Sequence, residues 1–553
     1  MTHLTLLEHH PRAVLEAFRR GEFDSFEWLG EADEKEFFEL LFREKMLLAL
    51  AESMPSVRKK HEVPLWFILA ANLSLKLHQQ NSFLAWERVV RCGGLLRALP
   101  PEIASKRLDP QSQAFVLECQ GFNRKNHYDR RTPCDQDTLR KALKQVPASS
   151  WLRWFNDPIQ SVFQEHGFFD PEGIFLGDAS YLFVPDNEAY EGSSVLWMDE
   201  HNHPVDYERL DAEARKRVRR RRCYKWVSLL HLRGRSRCSV YAAVAVVAGA
   251  AHECPLLYEL VDGFVARVGR GVMKKLILDR GFVDGERISH CKRDLGIDVI
   301  LPMKKKMDLW EDAWALGRGQ PWQLWSSPPP PPVPPPANRP EELRRREAAR
   351  QRTLAKNKAL EPPPDPSKQH VGTELCAIRD FRSWSAASVP IHVVLVRERY
   401  GDGHTEEWGL LTTGELAQAG VLREDYGLRT QIEERHRMIK CFYDLTDFRS
   451  RALAAVTAQV VFVLLAYTLR QWQLWKWQQE RLAGLSPAAL REELNIRREY
   501  VVIYHEQSYA QLPLVSFSRE LVQLEGAGRG KALSKITEME QQMFEPPGNP
   551  RPR

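Results

Sequence analysis

Cysteine is scarce and scattered: nine in 553 residues, with no pair at short spacing. That argues against a zinc ribbon or a disulfide framework and fits a reducing, cytoplasmic setting. Charge of one sign is also missing, because 79 basic residues face 73 acidic ones for a net of +6. So mild an excess does not by itself imply nucleic acid, and local patches carry more information than the total. The N-terminus has no positive segment leading into an apolar run, so secretion is not expected. Ala452 to Leu469 is the stretch most easily mistaken for a membrane span. It barely reaches spanning length and includes Thr457, Gln459 and Thr468, so a buried core helix is expected. With 43% hydrophobic residues, a chain this long can bury a sizeable core and should hold several domains.

What the chain does have is a polar stripe at residues 426–440. Tyr426, Arg429, Glu433 and Lys440 are spaced so that, on a helix turning about 100° per residue, they fall within about 60° of one another. Arg437 joins them. A single carboxylate, Glu433, then sits in a ridge of Tyr, Arg and Lys where a helix would ordinarily bury Leu or Ile, an arrangement suited to a metal ion and phosphates. A solvated surface helix is the plain alternative, since Arg429 with Glu433 and Glu433 with Arg437 are both i,i+4 pairs.

A two-metal phosphoryl-transfer site needs carboxylates from separate elements, holding ions roughly 3.5–4 Å apart. Two upstream acids qualify. Gly173 to Val184 reads as a buried strand interrupted by Asp178, and an unpaired carboxylate there would be costly unless a metal compensates it. Val272 to Asp279 is a second apolar strand ending in an acid, with Gly281 expected to permit a sharp turn into the next helix. Between them, Tyr224 to Leu232 and Ser239 to Val247 predict a hairpin around the polar turn Arg233 to Arg237, and a helix is expected at about 256–267. Gly285 to Leu295 reads as a helix and Ile297 to Leu301 as a strand.

The Tyr-x2-Arg-x3-Glu-x6-Lys spacing resembles the signature of insertion-sequence transposases with an Asp-Asp-Glu triad, the group called the IS-four family. It matches at all four positions, and Asp279 stands in the Asp-Arg-Gly-aromatic context of the family's second acid. The resemblance implies an α/β ribonuclease H-like catalytic core with a β-rich insertion, flanked by helical N- and C-terminal domains. It also implies an endonuclease and strand-transferase that recombines DNA at terminal inverted repeats by cut-and-paste transposition, through a hairpin intermediate. Asp178, Asp279 and Glu433 would hold two Mg2+ ions, with Mn2+ able to substitute, because hard oxygen ligands suit such ions. Tyr426, Arg429 and Lys440 would contact phosphates, with Arg437 and Arg280 beside them. Trp408, in Glu407-Trp-Gly-Leu-Leu-Thr412, would stack on a base flipped from the DNA end; a packing role in a hairpin core is the alternative. Since two ends must be handled together, a homodimer is expected.

The expected divisions are a helical DNA-binding domain at 1–165, core segments at 166–302 and 413–475, an insertion at 303–412, and a helical dimerisation region at 476–553. For the first of these, repeat recognition and ordinary helical packing both remain open, with Asn123 to Arg131 the preferred DNA-facing segment. The basic run Arg215 to Arg222, including Arg219, Arg220, Arg221 and Arg222, is expected to grip the DNA backbone. A basic segment at 341–358 lies in the insertion among the proline-rich stretches Ser327 to Pro336 and Pro362 to Pro366, which read as linkers. The hairpin signal Ile391 to Thr412 around Gly401-Asp-Gly403 accounts for the β-rich part. Asp199-Glu-His-Asn-His203 offers superficial metal ligands but reads as a solvated loop. The competing functions are a nuclease without strand transfer and a domesticated DNA-binding protein.

Overall fold

The computed structural model describes residues 2–5, 8–30, 34–57, 63–78, 81–86, 95, 98–100, 104–108, 115–119, 136–234, 238–326, 369–485, 490, 499–506 and 508–544. Asn123 to Arg131, the basic segment 341–358 and both proline clusters lie outside the described residues. In chain order the central part runs β1 (Ile174–Val184), β2 (Ser194–Met198), β3 (Arg219–Leu232), β4 (Ser239–Ala248), α1 (Glu253–Val268), β5 (Lys275–Ile277), α2 (Gly285–His290), β6 (Asp298–Pro302), β7 (Gln323–Trp325), β8 (His370–Phe381), β9 (Ile391–Tyr400), β10 (Thr405–Thr412), α3 (Ala419–Gly427), α4 (Thr430–Phe442) and α5 (Leu453–Lys476).

The chain forms two compact units: residues 1–173, 178–272 and 432–553 in one, residues 174–177 and 273–431 in the other. In the first unit, successive stretches of β3 pair antiparallel with β2 and β4. The β3–β4 hairpin is the one expected from two β-branched runs around a polar turn, with β2 an addition to it. α1 follows as expected, one turn longer at its start. Helix α5 is buried along Val456 to Leu474, and Phe462 meets Trp151 and Trp154 with ring centroids 5.5 and 5.9 Å away. It is the one described helix long and apolar enough to cross a membrane, but it is packed inside the protein.

The ends of the chain depart from the expected helical domains. Helices such as Glu34–Arg43, Met46–Glu52, Leu65–Leu77 and Gln136–Gln145 are present. However, Ser25–Gly30 pairs with Glu499–His505, which pairs with Ser508–Pro513. N- and C-terminal residues thus share one small sheet and its core of Val14, Phe18, Phe23, Phe26, Val501, Ile503 and Phe517. The pairing partners are about 470 residues apart in sequence, a separation that no local period reveals.

In the second unit, β5 lies parallel to β6 and to residues 174–176 of β1, and β6 runs antiparallel to β10. β10, β9, β8 and β7 then follow as successive antiparallel neighbours, with a helix at Asp308–Gly317 between β6 and β7. α2 stops at His290 and gives way to a wider turn at Cys291–Leu295.

Candidate active site

In the first unit the site is built where α4 packs across β1. Ile174 to Gly177 are buried, but from Asp178 to Tyr181 the strand is half exposed, which lets a carboxylate stand in an otherwise apolar strand. Alternation puts Asp178 and Ser180 on one face. On α4, His436 and Lys440 are one turn apart, and both meet that face. Lys440 donates from Nζ to Ser180 Oγ at 2.7 Å, and burial lowers its pKa below the ordinary lysine value. His436 Nδ1 stands 3.6 Å from Asp178 Oδ2. Its Nε2 is 3.0 Å from Ser228 Oγ on β3, and the ring lies 4.4 Å from Trp226, also on β3. Burial drives its pKa down to about 3, with Lys440 adding to the effect, so the ring is neutral. Sequence reading missed His436. Its position three residues after Glu433, on the same helical face, was the available signal.

Glu433 is exposed in the first turn of α4, where the helix dipole favours a carboxylate. Arg437 lies on the same face of α4 one turn on, with its guanidinium paired to Glu434 at 3.0 Å.

In the second unit four of the expected residues, Asp279, Arg280, Arg429 and Trp408, gather around Tyr426. Asp279 follows β5 at the head of the short 3-10 turn Arg280–Phe282, its backbone carbonyl accepting from the Phe282 amide. Gly281 keeps an ordinary backbone there, so the turn does not draw on glycine's left-handed freedom. Burial raises the pKa of the Tyr426 hydroxyl, while Arg429, Asp279 and Arg280 all act on it electrostatically. The Arg429 guanidinium lies 6.0 Å from the Tyr426 ring and Trp408 6.1 Å from it. Trp408 is half-buried on β10, opposite Val396 in the hairpin, and Arg423 covers its ring at 5.0 Å. An ion pair between Lys275 on β5 and the buried Asp425 ties the strand that leads to Asp279 to the helix that carries Tyr426.

The stripe is not one helix. α3 ends at Gly427, and Arg429 and Gln431 make tight turn bonds to Tyr426 and Leu428 before α4 begins at Thr430. Thr430 Oγ1 donates to the Gly427 carbonyl across the break. Tyr426 and Arg429 therefore lie ahead of α4, and the single face deduced from a continuous 3.6 period holds only for Glu433, Arg437 and Lys440.

The basic run is divided: Arg215 to Arg217 end a short helix, Ala212–Arg217, and Arg219 to Arg222 lie inside strand β3, which starts five residues before the expected Tyr224. Arg222 is buried, 3.2 Å from Asp186 and 3.2 Å from Ser193 Oγ. Arg221 reaches Asn202 at 2.8 Å and lies 3.8 Å over the Phe183 ring. Arg220 approaches Asp186 at 3.7 Å, and Arg219 is exposed. Asp199 organises a turn by accepting from the amides of His201 and His203, which accounts for that cluster without a metal.

Among the described residues no three His, Cys, Asp or Glu side chains form a cluster able to cage an ion. A hard divalent ion does not require one: Mg2+ keeps several waters and takes phosphate oxygens alongside one or two carboxylates. Asp178, with its side chain 18% exposed on a half-open strand, fits that kind of ligation.

Comparison with known proteins agrees with this chemistry. The family described as "Transposase DDE domain" matches residues 190–469, a span containing Asp279 and Glu433 but starting after Asp178. No curated protein matches the chain significantly.

Proposed function

The chain belongs to the family of transposases that carry a DDE domain, and from that premise we propose that Asp178, Asp279 and Glu433 are its catalytic carboxylates in cut-and-paste transposition. The family consists of metal-dependent enzymes of DNA recombination, so a DNA substrate follows from membership. The observation that carries the residue assignment is the hydrogen bond from Lys440 to Ser180, which sets the signature helix against the strand of Asp178.

Two divalent ions, Mg2+ or Mn2+, supply Lewis-acid stabilisation of attacking and leaving oxygens when bound. The chain's own residues do the rest. The three carboxylates offer oxygen ligands. Tyr426, Arg429, Arg280 and Lys440 bind phosphates and orient the scissile bond, assisted by exposed arginines of the 219–222 run. In the first step water forms a new P–O bond as the bond to the 3′-oxygen breaks, freeing a 3′-hydroxyl at the transposon end. That hydroxyl attacks a phosphodiester of the opposite strand, closing a hairpin as the bond to the flanking DNA's 3′-oxygen breaks; water reopens the hairpin, and the regenerated 3′-hydroxyl attacks a target phosphodiester, displacing a target 3′-oxygen. Stacking of a flipped base on Trp408, worth about 1–3 kcal/mol, would offset part of the cost of the bent end. The active species is a homodimer on paired inverted repeats in the cytoplasm, with the C-terminal region contributing to assembly.

Incubation of the protein with its terminal inverted repeats and Mg2+ tests this directly. Glu433→Gln should bind ends but not cut them; near-normal cutting rejects the assignment, and a requirement for Glu434 instead moves the register by about 100°. On pre-nicked ends, Trp408→Ala should lose hairpins while nicking survives, with partial rescue by Phe. Equal loss of both steps leaves Trp408 a packing residue. Light scattering should find two copies on paired ends; a single copy throughout cleavage removes the dimer.

A further inference from the structure

We infer that His436 is a positioning residue for Asp178, held in place by Ser228, and that this relay sets the affinity of the site for divalent metal. The inference rests on the reading of Asp178 as a metal ligand and concerns what stands behind it.

Three observations carry it. His436 is 3% exposed, so it is not a side chain open to solvent. Its two nitrogens face different partners, Asp178 Oδ2 at 3.6 Å and Ser228 Oγ at 3.0 Å. Finally, Trp226 packs on the ring at 4.4 Å and limits its rotation. A neutral imidazole has one donor and one acceptor nitrogen. Turning a lone pair on a carboxylate is repulsive, so the proton belongs on Nδ1, and Nε2 then accepts from the Ser228 hydroxyl. Asp178 thus selects the form that presents N–H toward it, and Ser228, whose hydroxyl can donate or accept, holds the ring in that orientation. At 3.6 Å the contact is longer than a hydrogen bond, and the ring acts as an oriented dipole that biases Oδ2 toward the protein. Partners that orient ligating groups in this way typically change metal affinity 10–100-fold when removed.

Lys440 also acts electrostatically on both the ring and Asp178, so the variants must separate its effect from that of His436. Lys440 is turned to Ser180, and Ser228 is the hydroxyl in contact with Nε2. A purely structural histidine in this place would need volume and a flat face against Trp226, both of which Phe supplies. Asn instead keeps a donor near the position of Nδ1. The two substitutions separate packing from positioning.

Full-length His436→Phe, His436→Asn, Ser228→Ala and Asp178→Asn proteins would be titrated with Mn2+ on transposon-end DNA, following the free-ion signal by electron paramagnetic resonance. Single-turnover cleavage across Mg2+ concentrations provides the second readout. His436→Phe should raise the Mn2+ half-saturation point 10–100-fold while cleavage at saturating Mg2+ recovers most of its maximum. His436→Asn should restore much of the affinity, and Ser228→Ala should shift the midpoint several-fold. An unchanged midpoint in folded His436→Phe, or equal loss of maximum rate in Phe and Asn, overturns the inference. If His436→Phe does not fold, Ser228→Ala decides: it removes one hydroxyl, and an unmoved midpoint overturns the relay. Asp178→Asn keeps the two failures apart. If it leaves metal binding and cleavage intact, the ligand assignment itself falls; if it abolishes both while the His436 and Ser228 variants bind normally, only the relay falls.

Discussion

Strands β1 and β3 both carry charge into an apolar interior, and they treat it in opposite ways. On β3, Arg222 meets Asp186 and Lys225 meets Glu253, with Lys225 also donating to the Ala251 carbonyl. Cation faces carboxylate, and the charge is spent within the fold. On β1, Asp178 meets a histidine that burial keeps neutral, on the stretch where the strand becomes half exposed. Burying a charge costs several kcal/mol unless it is compensated. A carboxylate that lies beside a neutral ring and within the field of Lys440, on a strand left partly open, keeps room for a partner that comes from outside the chain.

The largest effect should come from the open side of this contrast. Asp178→Asn preserves shape and removes the ligand charge. Losing several kcal/mol of transition-state stabilisation, at 1.36 kcal/mol per tenfold, means a fall in end cleavage of about 1,000-fold or more. Thermal unfolding should stay near wild type. Marked unfolding of Asp178→Asn would mean that its charge, like that of Arg222, is spent on the fold, and the contrast would collapse.

Lys76 tests a third outcome, a charge sealed in beside a neutral hydrogen-bond partner. It is 6% exposed and hydrogen-bonded to Asn81, and burial lowers its pKa to about 7 although Asp447 and Asp444 oppose the shift. Between about pH 7 and the ordinary lysine value near 10.4, the unfolded chain binds a proton that the folded chain does not. Stability should therefore rise with pH across that window by up to about 1.4 kcal/mol per unit from this group, and fall toward pH 7. Lys76→Met should remove that part of the slope in urea midpoints measured from pH 7 to 9. An identical slope in the variant would show that Lys76 keeps its charge in the fold.

Arg222→Ala supplies the reverse of Asp178→Asn. It strips charged hydrogen-bond partners from Asp186 and Ser193, a loss of about 2 kcal/mol. Since Asp186 is 44% exposed and water takes over part of its solvation, the cost stays below that of a sealed pair. The urea midpoint should fall while the Mg2+ midpoint of cleavage stays unchanged. A shifted Mg2+ midpoint with normal stability would assign Arg222 to the chemistry instead.

Legibility from sequence followed the range of the interaction involved. Asp178 stood out because one acid broke an apolar run, and β1, β3 and β4 formed where apolar and β-branched runs stood. α5 was recognisable as a core helix from Thr457, Gln459 and Thr468 within its apolar length. The break between α3 and α4 was hidden, because Gly427 is compatible with continuation and the turn is fixed by Thr430 and local carbonyls. The pairing of Ser25–Gly30 with Glu499–His505 was out of reach, since strand partners so distant leave no periodic trace. The fate of each arginine at 219–222 was likewise unreadable. A run of like charges looks uniform in one dimension, whereas a strand sends alternate side chains to opposite faces.

That alternation leads to the smallest and most discriminating expectation. Arg219 is exposed at the start of β3, whereas Arg222 is buried three residues on. If the run contributes to DNA binding only through members not committed to the fold, Arg219→Ala should leave thermal stability unchanged and weaken binding of transposon ends and unrelated duplex alike. Each phosphate contact adds about 0.9 to the slope of log affinity against log salt, so loss of one contact should flatten that slope by roughly this amount. Fluorescence anisotropy from 50 to 200 mM salt would measure it. Arg222→Ala, corrected for its folded fraction, should keep the wild-type slope. If both variants lose the same slope, Arg222 reaches DNA despite its pairing with Asp186, and burial has misidentified which arginines are free to bind. If neither does, the run serves β3 and its neighbours, and the backbone contacts must come from other basic residues such as those around Tyr426.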